Sequence, residues 1–299
     1  MNARRPNVIS QVASALWTRS PAELVAGFRR RVARKPHQAS AEPDGYRQWL
    51  LDELYVFVQQ SYPGDALPRE KFMALMKEYG HSGWLRPTNR YLGDLWYLFA
   101  PDFQRRLEEY YRYQDLNLTM TLFSYAANKE LLRANYERPY QIAFERLGRF
   151  SVLELGAGIP HGLLHGVRAH GPAFCTQLTS VDIEGFPAAF VASFCERHRI
   201  RHRWIPATAG KSAVLDDAGP FDFVFAKDVF EHLVDPQVAL DQLLARTSSR
   251  AVLALDLEDK GDVVYQHVSP HLAPLSARVA QAGFTTLEQT GNVTIFARN

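Results

Sequence analysis

The stretch VLELGAGIPHG, residues 152–162, is the most informative part of the sequence for the fold. An apolar strand pattern leads into Glu154 and then into Gly156 and Gly158, where missing side chains let the backbone pass close to a ligand. A dinucleotide fingerprint would place a third glycine three residues after Gly158, but His161 occupies that position. The stretch therefore predicts a glycine-rich ligand loop and disfavours a nicotinamide cofactor.

Short apolar runs alternate with helical patterns from this loop to the C-terminus, which is typical of βαβ units. The runs are SVLELG, LTSVDI, HRWIPA, FDFVFA, AVLALDL, TTLEQT and VTIFAR. The pair Gly291-Asn292 separates the last two runs, and such a pair favours the positive φ angles of a tight hairpin turn. We therefore expect an α/β fold whose mostly parallel sheet ends in an antiparallel hairpin.

The first half of the chain has a helical pattern instead. Over residues 46–148 apolar residues recur at three- and four-residue spacing, as in LLDELYVFV, residues 50–58. The predicted organisation is a basic N-terminal helix and linker over 1–45, an all-helical cap or substrate domain over 46–148, and a ligand-binding sheet domain over 149–299. We expect the helical domain to fold over the carboxyl edge of the sheet, where ligands bind in such folds.

Composition and charge narrow the class of protein. Hydrophobic residues make up 46% and charged residues 22% of the chain, which are ordinary values for a soluble globular protein. Basic residues outnumber acidic ones by 22 to 16 over residues 1–150, whereas acidic residues lead by 16 to 12 over residues 151–299. The net acidic half carries the ligand loop, so nucleic acid is a disfavoured substrate.

Cysteine spacing and hydropathy indicate the compartment. Cys175 and Cys195 lie apart without a ligand pattern around them, so neither a zinc site nor a disulfide framework is predicted. The sequence has neither a signal-peptide pattern nor an apolar run of membrane-spanning length. We expect a cytoplasmic protein without a membrane partner.

The glycine loop resembles motif I of the class I S-adenosylmethionine (SAM)-dependent methyltransferases, written (E/D)xGxGxG. Glu154, Gly156 and Gly158 match this motif, and Pro160 stands where the family has its last glycine. A proline is compatible with that place because the next helix would start there. The resemblance implies that the loop lies under the methionine and ribose portions of SAM, with Glu154 near the ammonium group of the cofactor.

Two further stretches resemble family motifs, in the family's order. The run SVDI, residues 180–183, ends a strand with an acid, and the resemblance implies that Asp182 binds the ribose hydroxyls and Ile183 lies against adenine. FDFVFAKDVFEHLVDPQVAL, residues 221–240, closely resembles the strand-four region FDxVxxxDVLEHLxDPxxAL. Many relatives hold the adenine amino group with an acid, whereas this chain offers Thr208 or a nearby backbone carbonyl.

Polar residues follow the fourth strand, where the sheet of the family opens toward the transferred carbon. His232 is the candidate base because imidazole titrates near neutrality, although it could instead only pack beneath SAM. Asp228 is a second catalytic candidate, and Lys227 is a candidate for cofactor binding. His161 and His165 lack a third ligand at a recognisable spacing, so no metal is predicted.

Tyrosines are concentrated in the first half, which holds 12 of the 13. Tyr136 and Tyr140 lie just ahead of the first strand and are predicted to be catalytic, and Tyr125 and Arg138 are predicted to line the substrate pocket. Packing of the rings within the helical domain, with hydroxyls at the surface, is the alternative.

The resemblance implies the class I methyltransferase fold, a Rossmann-like sheet with a C-terminal antiparallel hairpin, and SAM as cofactor. The leading hypothesis is a methyltransferase that acts on a small molecule in bacterial secondary metabolism. One alternative is a SAM-consuming cyclase or lyase that makes azetidine-2-carboxylate and methylthioadenosine, because azetidine-2-carboxylate synthases have a similar architecture. Another is a SAM-binding regulatory protein without turnover. The oligomeric state is not predicted.

Overall fold

The computed structural model describes residues 45–61, 68–74, 132–211, 215, 217–259, 268–269 and 271–298. Nearly all of the predicted basic helix and linker, much of the predicted helical domain and the pocket candidate Tyr125 lie outside these ranges. The fold and the site are therefore built from α1, from the segment that enters the first strand, and from the sheet domain.

The described helices are α1 Tyr46–Ser61, α2 Arg138–Leu147, α3 His161–His170, α4 Phe186–Arg197, α5 Pro236–Ala245 and α6 Ala273–Gln281. Residues 69–74 are also helical. A π-helical turn, Arg133–Glu137, precedes α2, and 3-10 turns occupy Pro172–Phe174 and Phe230–His232. The strands are β1 Phe150–Leu155, β2 Cys175–Asp182, β3 His202–Pro206, β4 Phe221–Ala226, β5 Thr247–Leu255, β6 Phe284–Thr290 and β7 Val293–Arg298.

The strands of the described residues form one seven-stranded sheet in the order β3-β2-β1-β4-β5-β7-β6. The first five strands are parallel, whereas β7 runs antiparallel to both β5 and β6. Every apolar run predicted as a strand is a strand, and Gly291, with φ +57°, lies in the predicted hairpin turn. The predicted α/β fold with a C-terminal antiparallel hairpin is confirmed.

The strand order reverses between β1 and β4, the central pair of the sheet. β1 pairs with β2 on one side and with β4 on the other, so the connections on the two sides leave in opposite directions. In such sheets the reversal opens a crevice at the carboxyl ends of the strands. The glycine loop follows β1 directly and therefore lies at this crevice.

Both faces of the sheet are covered, as the apolar character of its central strands requires. Helices α1 to α4 pack on one face around Phe150, Val152 and Phe223, and α5 and α6 pack on the other around Leu153 and Val224. Since α1 and α2 share the core of the sheet, the described helical residues of the first half pack directly on the second half. Within the described part of the chain, no helix is both long and apolar enough to cross a membrane.

Helix α1 is fixed to α4 by aromatic and ionic contacts. Trp49 and Phe194 meet edge to face with ring centroids 6.0 Å apart. Glu53 accepts hydrogen bonds from Arg197, at 2.5 Å, and lies 3.2 Å from Nε2 of His198. These contacts place the N-terminal end of α1, at Tyr46, beside the start of α3.

Candidate cofactor site

Two hydrogen bonds join the loop after β1 to the end of β2, and a third fixes the Asp182 carboxylate there. The N–H of Gly156 donates to the carbonyl of Val181 at 2.7 Å. The N–H of Gly158 donates to one carboxylate oxygen of Asp182 at 2.6 Å, and the N–H of Ile183 donates to the other at 2.7 Å. Two separate sequence motifs thus form one unit, in which a half-buried carboxylate is held against the glycine loop.

The two loop glycines have conformations that L side chains rarely adopt. Gly156 has φ +63° and Gly158 has φ +45°. A Cβ on Gly156 would also come within 2.2 Å of the side chain of Val229, which follows β4. Gly156 therefore lets the third motif pack against the first, and the loop takes a course that only glycine permits without strain.

Lys227 and Asp228 follow β4 at the same edge. The side chain of Lys227 is 7% exposed, and its ammonium group pairs with the carboxylate of Asp228, which is 44% exposed. Asp228 has φ +53°, an unusual value for a residue other than glycine. Such strain costs about 1 to 3 kcal/mol and is found mostly at functional sites. Asp228 is thus a candidate on geometric grounds as well as by sequence.

Tyr136 is the residue of the π-helical turn that reaches this edge. Its ring lies 5.4 Å from the ring of His161, 5.7 Å from that of Phe225, and 5.6 Å from the ammonium nitrogen of Lys227. Tyr136 therefore connects the end of β4 with the start of the helix that follows the glycine loop. The structure brings this predicted residue to the same place as the predicted cofactor residues.

Pro139 accounts for the π-helical turn. In an α-helix the carbonyl of Asn135 would accept the N–H of Pro139, which does not exist. The helix widens instead, and the N–H of Arg138 donates to the carbonyl of Arg133, five residues earlier. The sequence analysis missed this turn. A proline one turn inside a helical pattern was the signal that could have revealed it.

Glu154 lies beneath the loop and is enclosed by the core. Its side chain is 1% exposed, and one carboxylate oxygen accepts a hydrogen bond from the hydroxyl of Tyr140. Among the described residues its other oxygen has no hydrogen-bond partner. Burial raises the pKa of Glu154 to about 8, and the Tyr140 hydrogen bond opposes part of this rise. Burial thus favours the neutral form of the Glu154 carboxyl, and its role near the ammonium of SAM stays a prediction.

Tyr140 differs from the predicted catalytic position. It is 3% exposed and packs edge to face on Phe223, with ring centroids 4.8 Å apart. Because its hydroxyl is bonded to Glu154 inside the core, no described contact supports a direct role for Tyr140 in the reaction. The alternative weighed for the tyrosines, helix packing, fits this residue better, although its hydroxyl is buried.

Arg138, which was predicted to line the substrate pocket, pairs with an acidic residue of β6. Its guanidinium donates two hydrogen bonds to the carboxylate of Glu288 on β6, at 2.9 and 2.8 Å. These hydrogen bonds raise the pKa of Arg138 and lower that of Glu288. The pairing ties α2 to the last strand in the sheet order. Arg138 also lines a cavity together with Tyr46 and His165, and its place in the substrate pocket stays a prediction.

His232 and Thr208 flank the crevice. His232 is half-buried in a 3-10 turn, where its N–H donates to the carbonyl of Val229 at 2.9 Å. Thr208 is exposed just after β3, and the neighbouring N–H of Ala207 donates to the carbonyl of Asp182 at 2.8 Å. Their roles as base and as adenine contact remain predictions.

The histidines of α3 have protein partners. Nδ1 of His161 lies 3.1 Å from the hydroxyl of Tyr46, and Nε2 of His165 lies 3.3 Å from a carboxylate oxygen of Glu137. In the part of the chain that the structure describes, no three His, Cys, Asp or Glu residues form a group that could hold a metal ion. These contacts join α1 and the π-helical turn to the helix behind the glycine loop.

Comparison with models of protein families finds no match, and neither does comparison with curated proteins. Among solved structures, the chain is similar to an O-methyltransferase family protein from Burkholderia thailandensis, at 15% identity and a TM-score of 0.46, over 96% of this chain and 91% of that chain. It is similar to a SAM-dependent methyltransferase from Aquifex aeolicus, at 14% identity and a TM-score of 0.39, over 55% of this chain and 90% of that chain. The cyclase SpnF matches at 20% identity and a TM-score of 0.39, over 56% of this chain and 60% of that chain. At these values the likeness carries no functional argument, so the fold assignment rests on the strand order and pairing.

Proposed function

We propose that this chain is a SAM-dependent methyltransferase that acts on a small molecule. The observation that carries the proposal is the hydrogen bond from Gly158 N–H to the carboxylate of Asp182, which joins two of the three resembling motifs into one ligand site. The third motif contacts the first because the Val229 side chain packs against Gly156, where there is no room for a Cβ. A site in which three separate motifs converge is the arrangement that the resemblance requires.

The residues at the crevice fit the parts of SAM. Each carboxylate oxygen of Asp182 accepts one backbone N–H, which holds the carboxylate at the crevice where it would accept the ribose hydroxyls. Ile183 is half-buried beside it and would lie against adenine, and the exposed Thr208 would reach the amino group. Gly156 and Gly158 would let the methionine portion approach the backbone.

Tyr136 fits the sulfonium end of the cofactor. An aromatic face attracts a cation by about 0.5 to 2 kcal/mol and presents no competing nucleophile. The ammonium of Lys227 near the same ring is paired with Asp228, which lowers the net positive charge that a sulfonium would meet. We infer that Lys227 and Asp228 set the electrostatics of the transfer site.

The chemistry divides between cofactor and protein. SAM, when bound, supplies an activated methyl group for displacement by an aligned nucleophile. The protein aligns the acceptor, excludes water and removes a proton from the acceptor where needed. We propose His232 for the proton transfer, because it is half-buried in the 3-10 turn that follows the strained Asp228 after β4. A role in bacterial secondary metabolism belongs to this proposal.

Binding is tested by calorimetry with S-adenosylhomocysteine. We expect wild-type protein to bind, and we expect Asp182→Ala to weaken binding by about 1.5 to 3 kcal/mol, the usual range for hydrogen bonds to a charged group. Asp241→Ala is the matched control, because Asp241 pairs with Arg278 on the α5–α6 face of the sheet. Equal affinities of wild type and Asp182→Ala would overturn the ribose assignment.

The reaction is tested by incubating purified protein with SAM and no acceptor. A methyltransferase leaves SAM intact until an acceptor is supplied and then yields S-adenosylhomocysteine. Chromatography that finds methylthioadenosine above the uncatalysed background would instead support the SAM-consuming cyclase or lyase. Tight binding without turnover in any cell extract would favour a regulatory protein. Either of these results contradicts the proposed methyl transfer.

A further inference from the structure

The turn between β6 and β7 contacts the π-helical turn that carries Tyr136. Asn135 is 4% exposed, and its Oδ1 accepts a hydrogen bond from the N–H of Asn292 at 3.0 Å. One residue earlier, the carbonyl of Ala134 accepts a hydrogen bond from the hydroxyl of Thr290 at 2.9 Å. Two elements far apart in sequence are therefore joined by a pair of hydrogen bonds, which we call the hairpin latch.

The carbonyl of Ala134 needs a partner from outside its own helix. Its α-helical donor would be the N–H of Arg138, but this N–H donates to Arg133. Its π-helical donor would be Pro139, which has no N–H. A buried carbonyl without a partner is costly, so the Thr290 hydroxyl supplies what the helix lacks. The latch follows from the same proline that produces the π-helical turn.

Gly291 allows the two turns to approach each other. Its φ is +57°, and a Cβ at this position would lie 2.0 Å from Oδ1 of Asn135 and 3.3 Å from Cβ of Ala134. Any side chain would push the hairpin away from the π-helical turn. The Gly291-Asn292 pair therefore does more than close a hairpin, because it also forms the surface on which Asn135 docks.

The latch lies at the ligand edge of the sheet. Leu255, the last residue of β5, pairs with Thr294 near the start of β7, so the hairpin turn is at the carboxyl end of the parallel strands. Asn135 faces this turn, and its neighbour Tyr136 contacts Phe225 and the ammonium of Lys227. The two adjacent side chains thus connect the hairpin to the crevice.

We propose that Asn135 is a positioning residue, through which the β6–β7 turn holds Tyr136 at the cofactor crevice. This inference rests on the proposed function for the identity of the ligand, whereas the geometry of the latch does not depend on it. Since Asn135 does not reach Lys227 or the glycine loop in any described contact, its effect on binding must pass through Tyr136.

The test compares S-adenosylhomocysteine binding by calorimetry in four variants. We expect Asn135→Ala to weaken binding about three- to ten-fold, as expected for one lost hydrogen bond, and Asn135→Asp to bind more tightly than Asn135→Ala because it keeps the acceptor oxygen. Tyr136→Ala should weaken binding too. The double variant Asn135→Ala/Tyr136→Ala should bind no more weakly than Tyr136→Ala alone, because coupled residues are not additive.

A purely structural role gives a different pattern. Asn135→Ala would then lower the melting temperature with unchanged affinity, or its effect would add to that of Tyr136→Ala, and either result overturns the proposal. If Asn135→Ala does not fold, Thr290→Val takes its place, since it removes the other hydrogen bond of the latch and is expected to weaken binding in the same non-additive way.

Failure of the latch can be told apart from failure of the proposed function. If the wild-type protein binds neither SAM nor S-adenosylhomocysteine, the proposed function is wrong. The latch is then judged by hydrogen exchange, which Asn135→Ala should accelerate in the peptide over 132–147 and leave unchanged over β2, and which Asn135→Asp should restore. Unchanged exchange over 132–147 would overturn the latch as well.

Discussion

Glu154 lies near the end of β1, two residues before Gly156 of the glycine loop, yet its carboxyl group is buried in the core. β1 alternates its side chains between the two faces, and position 154 falls on the same face as Val152, which α2 covers. There the only described hydrogen-bond partner of the carboxyl group is the hydroxyl of Tyr140. The backbone of Glu154 therefore leads into the glycine loop, whereas its carboxyl group lies in the core.

The raised pKa of Glu154 predicts how stability depends on pH. In the unfolded chain this carboxyl loses its proton near its ordinary pKa of 4.5, whereas the folded protein keeps the proton up to about pH 8. Between these values the unfolded state binds fewer protons, so this residue lowers the free energy of unfolding as pH rises from 4.5 to 8. Above pH 8 the loss is complete and constant.

Glu154→Gln removes the titration and keeps an acceptor for Tyr140. We expect this variant to gain stability over wild type as pH rises from 5 to 8, with no added gain above 8. Urea unfolding of cofactor-free protein at several pH values measures the difference, and Glu145→Gln, at an exposed site on α2, is the control. Parallel curves for wild type and Glu154→Gln would show that the carboxyl is already ionised in the folded protein.

At the scale of elements, glycines let α2 and α3 pack closely. A Cβ on Gly162 would come within 2.3 Å of the Tyr140 ring, and one on Gly166 within 2.6 Å of the Phe174 ring. Both rings are buried in the core beside β1. Gly162 therefore fixes the distance between α2 and α3, and Gly166 lets the 3-10 turn Pro172–Phe174 pack against α3.

Gly162→Ala should destabilise the protein by about 1 to 3 kcal/mol, the usual cost of overpacking a core. Alanine favours a helix over glycine by about 0.5 to 1 kcal/mol, so a net loss would show that the collision with Tyr140 outweighs helix propensity. Urea unfolding measures the change, with Arg168→Ala at an exposed site of the same helix as control. A stabilised variant would mean that the helices can separate without penalty.

The helices and strands were predictable where a local sequence pattern specifies them. All strands followed from short apolar runs, and the last turn followed from Gly291-Asn292, because these signals are local. The partners of Arg138 and Tyr140 were not predictable, since both depend on which strand lies opposite each residue. The hydrogen bond between Gly158 and Asp182 was not predicted, because the spacing of two residues says nothing about their contact in space.

At the scale of the whole molecule, the two outer strands of the sheet differ from the central ones. β3 is short and ends at Pro206, which has no N–H to donate. β6 carries mostly polar side chains, and its register with β7 shifts between Thr286 and Glu288. Glu288 is held there by Arg138, which keeps a charge fixed along this strand.

These outer strands carry features that hinder pairing with another chain. An unpaired strand is a template for another chain, and charge, proline and irregular register all hinder such pairing.

Glu288→Val, next to the exposed Leu287, would create an apolar stretch on β6, and we expect self-association that rises with protein concentration. Light scattering measures it, and Glu288→Gln, which loses the ion pair but stays polar, should remain dispersed. Association of both variants would instead assign the effect to the loss of Arg138 pairing. A polar side chain at position 288 would thus protect the protein against aggregation.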